Sequence, residues 1–182
     1  MQGNRAVIAV VVAIVLLAGV WLFLKRSTGA QSIQLIPVLA SAEKRPEGGT
    51  FEIVDAEVNG ETKPAIYTVP PTRITYRVRI PNDAWLRVAV ATRPDSWTQE
   101  GDGVLFLVGV SDGTRYDSMF EQHVNPFGNE GDRKWVQVWV DLSAYGSEDV
   151  ELIFNTRSSA EGKPTDTQND HALWGAPEII VR

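Results

Sequence analysis

The longest apolar run of the chain lies near its amino terminus and restricts where that end can be placed. Residues 6–24 contain no charged or strongly polar side chain. As an α-helix, such a run spans roughly the ~30 Å hydrocarbon core of a bilayer. Trp21 lies near the end of the run and Lys25 and Arg26 follow it, as expected of residues at a membrane interface. The sequence therefore predicts one transmembrane helix, with residues 1–26 as a membrane anchor.

A cleaved signal peptide is the alternative for the same segment. Small residues at 28–30 precede a candidate cleavage point before Gln31. However, the apolar run is longer than the roughly 7–15 residues of a signal-peptide core, and two basic residues separate it from that point. We therefore expect an uncleaved anchor. It contains no histidine or acidic residue that could ligate a metal or relay protons.

Charge limits the partners of the remaining chain. The first 26 residues hold three of the 17 basic side chains and no acidic one, so 14 basic side chains face 23 acidic ones afterwards, a net charge of −9. A domain with this charge repels phosphate backbones, which argues against nucleic-acid binding. The sequence contains no cysteine. This excludes disulfides and thiolate catalysis.

Short apolar runs separated by turn residues occupy the rest of the chain and predict an all-β fold. Apolar and polar residues alternate at 74–80 and again at 86–90, the period of half-buried strands. Many short strands with regular turns indicate a sandwich or a barrel. We predict a linker and first strand at 27–50 and a β-sandwich domain at 51–182. The predicted strands are 33–39, 51–58, 74–80, 86–90, 104–110, 116–123, 135–142, 150–154 and 177–181.

Several strands carry large apolar residues on both faces, although a strand with one solvated face would alternate. If the even-numbered residues of 104–110 and 136–142 face the core, other large residues point outward. These predicted surface residues are Leu105, Leu107, Trp135, Trp139 and Ile153. Three explanations remain open. The chain covers this face with its own loops or with segment 33–39, the face binds proteins, or Trp135 and Trp139 stack on sugar rings.

Candidate catalytic and metal-binding motifs are weak. Residues 109–113 match the G-x-S-x-G pattern of hydrolases, but that motif requires a following helix, and the next residues predict a strand. Ser-Asp-Gly also fits an ordinary hairpin turn. His123 and His171 each stand apart from a metal-ligand spacing, and residues 100–103 offer too few oxygens for a calcium ion. We predict no enzyme activity, no cofactor and no metal.

Four segments together resemble a known class of domains. They read RITYRVRIP at 73–81, GDGVLFLVGV at 101–110, KWVQVWVDLSAYGSEDVELIFNT at 134–156 and ALWGAPEI at 172–179. This pattern resembles the jelly-roll domains of the galactose-binding-like and carbohydrate-binding-module class of bacterial envelope proteins. The resemblance implies an antiparallel jelly-roll β-sandwich and a place outside the cytoplasm.

These observations predict a non-catalytic, single-pass protein of the bacterial inner membrane with its β domain on the periplasmic side. Our main hypothesis is an accessory subunit that binds neighbouring subunits of a larger membrane complex, such as a photosynthetic or respiratory one. Residues 6–24 would contact the lipid bilayer. The alternative is a membrane-tethered carbohydrate-binding module for envelope glycan.

Overall fold

The chain forms a β-sandwich of two antiparallel sheets, which confirms the predicted all-β fold. The computed structural model describes residues 32–158 and 167–181. The predicted transmembrane helix at 6–24, with Trp21, Lys25 and Arg26, lies outside these residues. In the part of the chain that is described, no helix has the length and apolarity needed to cross a membrane.

Eleven strands and four short 3-10 turns make up the described part of the chain. The strands are β1 (Ile33–Gln34), β2 (Glu43–Arg45), β3 (Phe51–Val58), β4 (Glu61–Thr68), β5 (Thr72–Arg79), β6 (Ala84–Thr92), β7 (Val104–Ser111), β8 (Tyr116–Val124), β9 (Val136–Asp141), β10 (Asp149–Arg157) and β11 (Ala172–Val181). The 3-10 turns are Leu39–Ser41, Pro94–Ser96, Glu130–Asp132 and Ser143–Tyr145.

Each sheet joins strands that are distant in sequence. The six-stranded sheet has the order β3-β4-β11-β6-β9, and β1 also pairs with β11. The five-stranded sheet has the order β2-β5-β10-β7-β8. All pairs are antiparallel, and β11 lies at the centre of the larger sheet because it bonds β4 and β1 on one side and β6 on the other.

The predicted strand 33–39 was wrong beyond Gln34, since a 3-10 turn forms at Leu39–Ser41, and the strand prediction missed β2 and β4 and started β11 too late. Pro64 lies in β4, and a proline that cannot donate a ladder hydrogen bond argues against a central strand. The structure accommodates it because β4 pairs with β11 only from Ala65 onward. β11 begins at Ala172, five residues before the predicted start, and its register shifts between Gly175 and Glu178. That bulge hides the strand from a simple alternation pattern.

The core between the sheets is built around Trp174. The even-numbered residues of β7 and β9 point inward, as predicted, together with Leu152 and Phe154 of β10. Trp174 of β11 makes edge-to-face contacts with Phe106 and Phe154, with ring centroids 5.0 and 4.9 Å apart. Such contacts add stabilisation beyond the burial of their area. One indole therefore joins the central strand of the six-stranded sheet to two strands of the other sheet.

Replacing Trp174 with alanine should destabilise the fold strongly. The large cavity left between the sheets predicts a loss of about 3–5 kcal/mol in the free energy of unfolding, measured by chemical denaturation. Trp139→Ala is the matched control because Trp139 is 43% exposed, and we expect a change within about 0.5 kcal/mol. Equal losses in the two variants would contradict the central role of Trp174.

Candidate functional site

The five predicted surface residues lie on two different sheets. Leu105 and Leu107 are in β7 and Ile153 is in β10, both in the five-stranded sheet. Trp135 precedes β9, and Trp139 lies within it, in the six-stranded sheet. Strand alternation correctly placed all five opposite the core residues, but it does not reveal which strands share a sheet. They therefore do not form one surface.

Leu105, Leu107 and Ile153 do not form an exposed surface, so of the three explanations left open, coverage by the chain itself is the one that fits them. All three are buried, although none belongs to the core between the sheets. Their partners in the register are His123 and Arg157 opposite Leu105, Glu121 and Asn155 opposite Leu107, and Thr75 and Gly109 opposite Ile153. Long side chains such as Arg157 cover apolar surface with their stems, and the Tyr116 ring lies against Gly109 beside Ile153. Segment 33–39 does not cover them, because its Leu35 and Leu39 pack in the main core.

The six-stranded sheet carries a second apolar cluster on its outer face. Small residues from three strands form its floor: Ala65 of β4, Gly175 of β11, and Ala89 and Ala91 of β6. Trp135 lies across this floor, and its Nε1 donates a hydrogen bond to the carbonyl oxygen of Glu61 at 2.9 Å. A Cβ at Gly175 would lie 2.7 Å from Cζ3 of Trp135, so only glycine permits this contact.

Trp135 and Trp139 therefore differ in exposure although both face outward. Trp135 is only 9% exposed because its ring is used to cover the alanine and glycine floor. Trp139 is 43% exposed, and the Arg87 guanidinium carbon lies 5.8 Å from the centroid of its ring. Arg87 also forms an ion pair with Glu178, which accepts a hydrogen bond from Gln34. Trp139 is thus the most accessible of the predicted surface residues.

A groove of about 430 Å³ opens on the same outer face. Its floor holds Tyr67 and Leu173, which belong to the second apolar cluster. One wall is the backbone of β3, and the other is the turn at residues 93–95. The complete set of lining residues is Val54, Asp55, Ala56, Glu57, Tyr67, Arg93, Pro94, Asp95 and Leu173.

Arg93 organises the polar side of this groove. Its guanidinium carbon lies 5.1 Å from the centroid of the Tyr67 ring. Its Nη2 contacts Oδ2 of Asp95 at 2.7 Å, and the backbone amide of Arg93 donates to the carbonyl oxygen of His171. A cation above an aromatic ring is attracted by the ring's negative face. The guanidinium is thus held at the groove, and some of its N–H groups remain accessible to a ligand.

Tyr67 and His171 form a half-buried polar pair beneath Arg93. The Tyr67 hydroxyl and Nδ1 of His171 are hydrogen-bonded at 2.7 Å. Burial raises the pKa of Tyr67, and the Arg93 charge opposes that effect. Burial also lowers the pKa of His171, although the Asp95 charge acts in the opposite direction. The pair is therefore neutral near pH 7, which suits hydrogen bonding to uncharged groups.

The other candidate motifs occupy structural positions. Ser111 and Gly113 lie in the β7–β8 hairpin, where Ser111 Oγ accepts from the Gly113 amide at 3.1 Å, so the G-x-S-x-G match is a turn as predicted. Nε2 of His123 donates to the carbonyl oxygen of Asp102 at 2.7 Å. Within residues 32–158 and 167–181, no three histidine or acidic side chains group into a metal-binding cluster.

The sequence prediction missed Tyr67 and Arg93, the two residues that shape the groove. Tyr67 lies in the unpredicted strand β4, and Arg93 follows β6 in a turn. The run of strand-favouring residues from Ala65 to Thr68 is the signal that would have revealed β4, but Pro64 obscured it. The closeness of Arg93 to Tyr67 depends on β11, which pairs with both strands.

Gly175→Ala tests whether Trp135 lies on the sheet. The added Cβ displaces the indole, so we expect a loss of about 1–3 kcal/mol in unfolding free energy. In a Trp135→Ala background the same change has only the flexible Lys63 chain to meet. A double-mutant cycle by chemical denaturation should therefore show a coupling of at least about 1 kcal/mol. Additive effects would contradict the contact.

Stability should fall as pH decreases from about 7.5 to about 5.5. The lowered pKa of His171 means that the unfolded state binds its proton at higher pH than the folded state does. Proton uptake therefore favours unfolding as pH falls through the ordinary range of histidine pKa values. The stability that neutral His171 contributes is fully present only above that range. His171→Asn should flatten the dependence, whereas His123→Asn should retain it. An unchanged slope in His171→Asn would refute this assignment.

No protein-family model matches the chain. An uncharacterized protein of Archaeoglobus fulgidus is 39% identical over 103 residues, which cover 56% of this chain and 25% of that protein. The chain thus spans about a quarter of the length of this relative.

Solved structures share the fold at low sequence identity. A CBM51 domain of Clostridium perfringens GH95 in complex with methyl-galactose has a TM-score of 0.52 at 16% identity, over 82% of this chain and 99% of that one. The K1 cleaved adhesin domain of Lys-gingipain from Porphyromonas gingivalis W83 has a TM-score of 0.55 at 15% identity, over 84% and 98%. A C. perfringens ZmpB structure with two CBM51 domains also has a TM-score of 0.55 at 15% identity, over 76% of this chain but 14% of that one. The described domain therefore has the β-sandwich fold found in carbohydrate-binding modules.

Proposed function

We propose that this domain is a non-catalytic carbohydrate-binding module whose glycan lies in the groove on the outer face of the six-stranded sheet. The observation that carries the proposal is the groove itself, in which an apolar floor at Tyr67 and Leu173 meets the polar wall of Arg93 and Asp95. Its volume falls within the range of about 300–1,000 Å³ that is usual for small-ligand sites.

The groove suits the two kinds of surface that a sugar ring presents. The C–H groups of one ring face are apolar and pack on aromatic or aliphatic side chains, while the hydroxyl groups require donors and acceptors at fixed positions. Arg93 supplies donors and Asp95 acceptors, and their ion pair holds both in place. The neutral Tyr67–His171 pair and the Arg93 cation over the Tyr67 ring stabilise this arrangement before a ligand arrives.

The fold comparison supports the same proposal. One structure of the same fold was solved with methyl-galactose, and that domain matches most of the described chain. A shared fold hosts many functions, so the argument for binding rests on the groove and the fold adds to it. The sugar-binding hypothesis was the alternative at the sequence level, and it is now the better supported one.

The accessory-subunit hypothesis has less support than its sequence argument suggested. It depended on surplus apolar surface, yet Leu105, Leu107 and Ile153 are buried, and Trp135 packs on its own sheet. Trp139 remains as an exposed ring. The anchor at residues 6–24, and the periplasmic placement that the family resemblance implies, stay predictions to be tested with the full chain.

Glycan binding can be tested by an array screen followed by calorimetry with the best ligand. Arg93→Ala should weaken binding about tenfold or more because it removes charged hydrogen bonds to hydroxyl groups. Tyr67→Phe keeps the ring and should weaken binding less. Arg77→Ala changes an exposed arginine of the other sheet and should bind like the wild type.

Two results would refute this proposal. One is the absence of binding to any glycan, and the other is equal affinity in the Arg93→Ala and wild-type proteins. If Trp139→Ala alone abolished binding, the site would lie at the β9 edge of the sheet and the groove assignment would be wrong.

A further inference from the structure

A depression of about 310 Å³ lies on the outer face of the five-stranded sheet, where β2 and β10 end and β5 begins. We call it the arginine pocket, because Arg45, Arg73 and Arg157 line it together with Asn155. No acidic side chain is among the described residues that line it. It shares no lining residue with the glycan groove, which belongs to the other sheet.

The strand register places two of these arginines directly opposite each other. Arg45 of β2 pairs with Arg73 of β5, and Arg73 pairs in turn with Asn155 of β10. Arg157 lies two residues further along β10 and therefore points to the same face. Like charges at opposite positions repel each other and reduce the stability of a sheet. The fold thus keeps a repulsive arrangement at this end of the sheet.

Other positions of β5 and β10 show that this arrangement is particular to the pocket. Two outward arginines of β5 are each opposite an acidic residue of β10 and form an ion pair with it, Arg77 with Glu151 at 3.3 Å and Arg79 with Asp149 at 2.9 Å. The residue opposite Arg73 is instead Asn155, whose Oδ1 accepts a hydrogen bond from Nε of Arg73 at 2.8 Å. An amide satisfies this donor without neutralising the charge.

The positive charge of the pocket is therefore available to a ligand. Within residues 32–158 and 167–181, neither Arg73 nor Arg157 forms an ion pair. Arg45 contacts Glu43 at 2.7 Å, but both side chains are exposed, so water screens this pair. The bond from Arg73 to Asn155 uses Nε and leaves the two Nη nitrogens for another acceptor.

We propose that the arginine pocket binds one oxyanion group, a sulfate, phosphate or carboxylate, of a small ligand. Guanidinium groups bind such groups through paired N–H···O bonds. Asn155 adds its NH₂ group, because its oxygen is already used by Arg73. The bound anion offsets the repulsion between Arg45 and Arg73. This site does not depend on the proposed glycan binding, since the two sites lie on different sheets.

The surrounding charge favours a small ligand over an extended polyanion. The attraction of the arginines fades within about 8–10 Å at physiological ionic strength. A nucleic acid or an anionic membrane extends beyond that distance and meets a domain that is acidic overall. A free inorganic ion and an acidic sugar both present the required group. The pocket volume of about 310 Å³ is at the lower end of the range for small-ligand sites.

The test is calorimetric titration of the full chain at low ionic strength, in a non-ionic detergent without a sugar headgroup. The probes are sodium sulfate and glucuronate, and glucose is the uncharged counterpart of glucuronate. In Arg93→Ala, whose glycan groove is impaired, glucuronate should still bind saturably and glucose should not. Tighter binding of glucuronate than of sulfate would identify an acidic sugar as the ligand, and the reverse would identify a free inorganic ion.

Variants of the arginines test where the anion binds. Arg73→Gln and Arg157→Gln should each weaken binding about tenfold or more, because each removes charged hydrogen bonds. Arg77→Gln is the matched control, since Arg77 is an exposed arginine of the same strand and face outside the pocket, and its affinity should be that of the wild type. Without ligand, Arg73→Gln should keep or raise the melting temperature, because it removes the repulsion with Arg45.

Four results would overturn the proposal. The first is an absence of saturable binding of both anions, and the second is equal affinity in Arg73→Gln and the wild type. The third is equal weakening in Arg77→Gln and Arg73→Gln, which would indicate a general effect of net charge. The fourth is tighter binding of a long oligothymidylate than of either small anion, because the surface would then recognise an extended polyanion.

Discussion

The packing of Trp174 between Phe106 and Phe154 is the contact on which the two-sheet architecture depends. It places the largest side chain of the core on β11, the strand at the centre of the six-stranded sheet. Successive residues of a strand point to opposite faces, so fixing Trp174 inward fixes Leu173 and Gly175 outward. The inward position of Trp174 therefore also determines which residues of β11 form the floor of the outer face.

The outward position of Gly175 allows a tryptophan ring to pack on the outer face of the sheet. Because it has no side chain, Trp135 can lie across β11 and reach the carbonyl oxygen of Glu61. The indole then covers the outer face from β9 to the start of β4, while the groove opens further along β4 and β11, at Tyr67 and Leu173. Trp135 and Trp139, which the sequence pattern places on the same side of the strand, therefore differ. The Trp135 ring is buried because it packs on the sheet, whereas the Trp139 ring stays accessible to solvent.

Much of the fold could be predicted from the sequence because alternation is a local property. The inward faces of β7, β9 and β10 followed from period-2 patterns alone, and the hairpin at residues 109–113 followed from turn chemistry. Sheet membership could not be predicted, because it depends on pairings between strands far apart in the chain. That is why Leu105 and Trp139 were assigned to one surface. The groove was missed for the same reason, since β11 brings Tyr67 and Arg93 together.

The charge of the groove limits which glycans it can hold. Asp95 lines it and the Glu52 charge acts on Tyr67 in its floor, whereas Arg93 is its one cation among the lining residues and is already paired with Asp95. The chain beyond residue 26 is acidic overall, with a net charge of −9 from 14 basic and 23 acidic side chains. A carboxylated or sulfated sugar would meet repulsion from both the site and the surrounding field. Neutral sugars, or amino sugars carrying a positive charge, meet none, so the electrostatics favour these two classes as ligands.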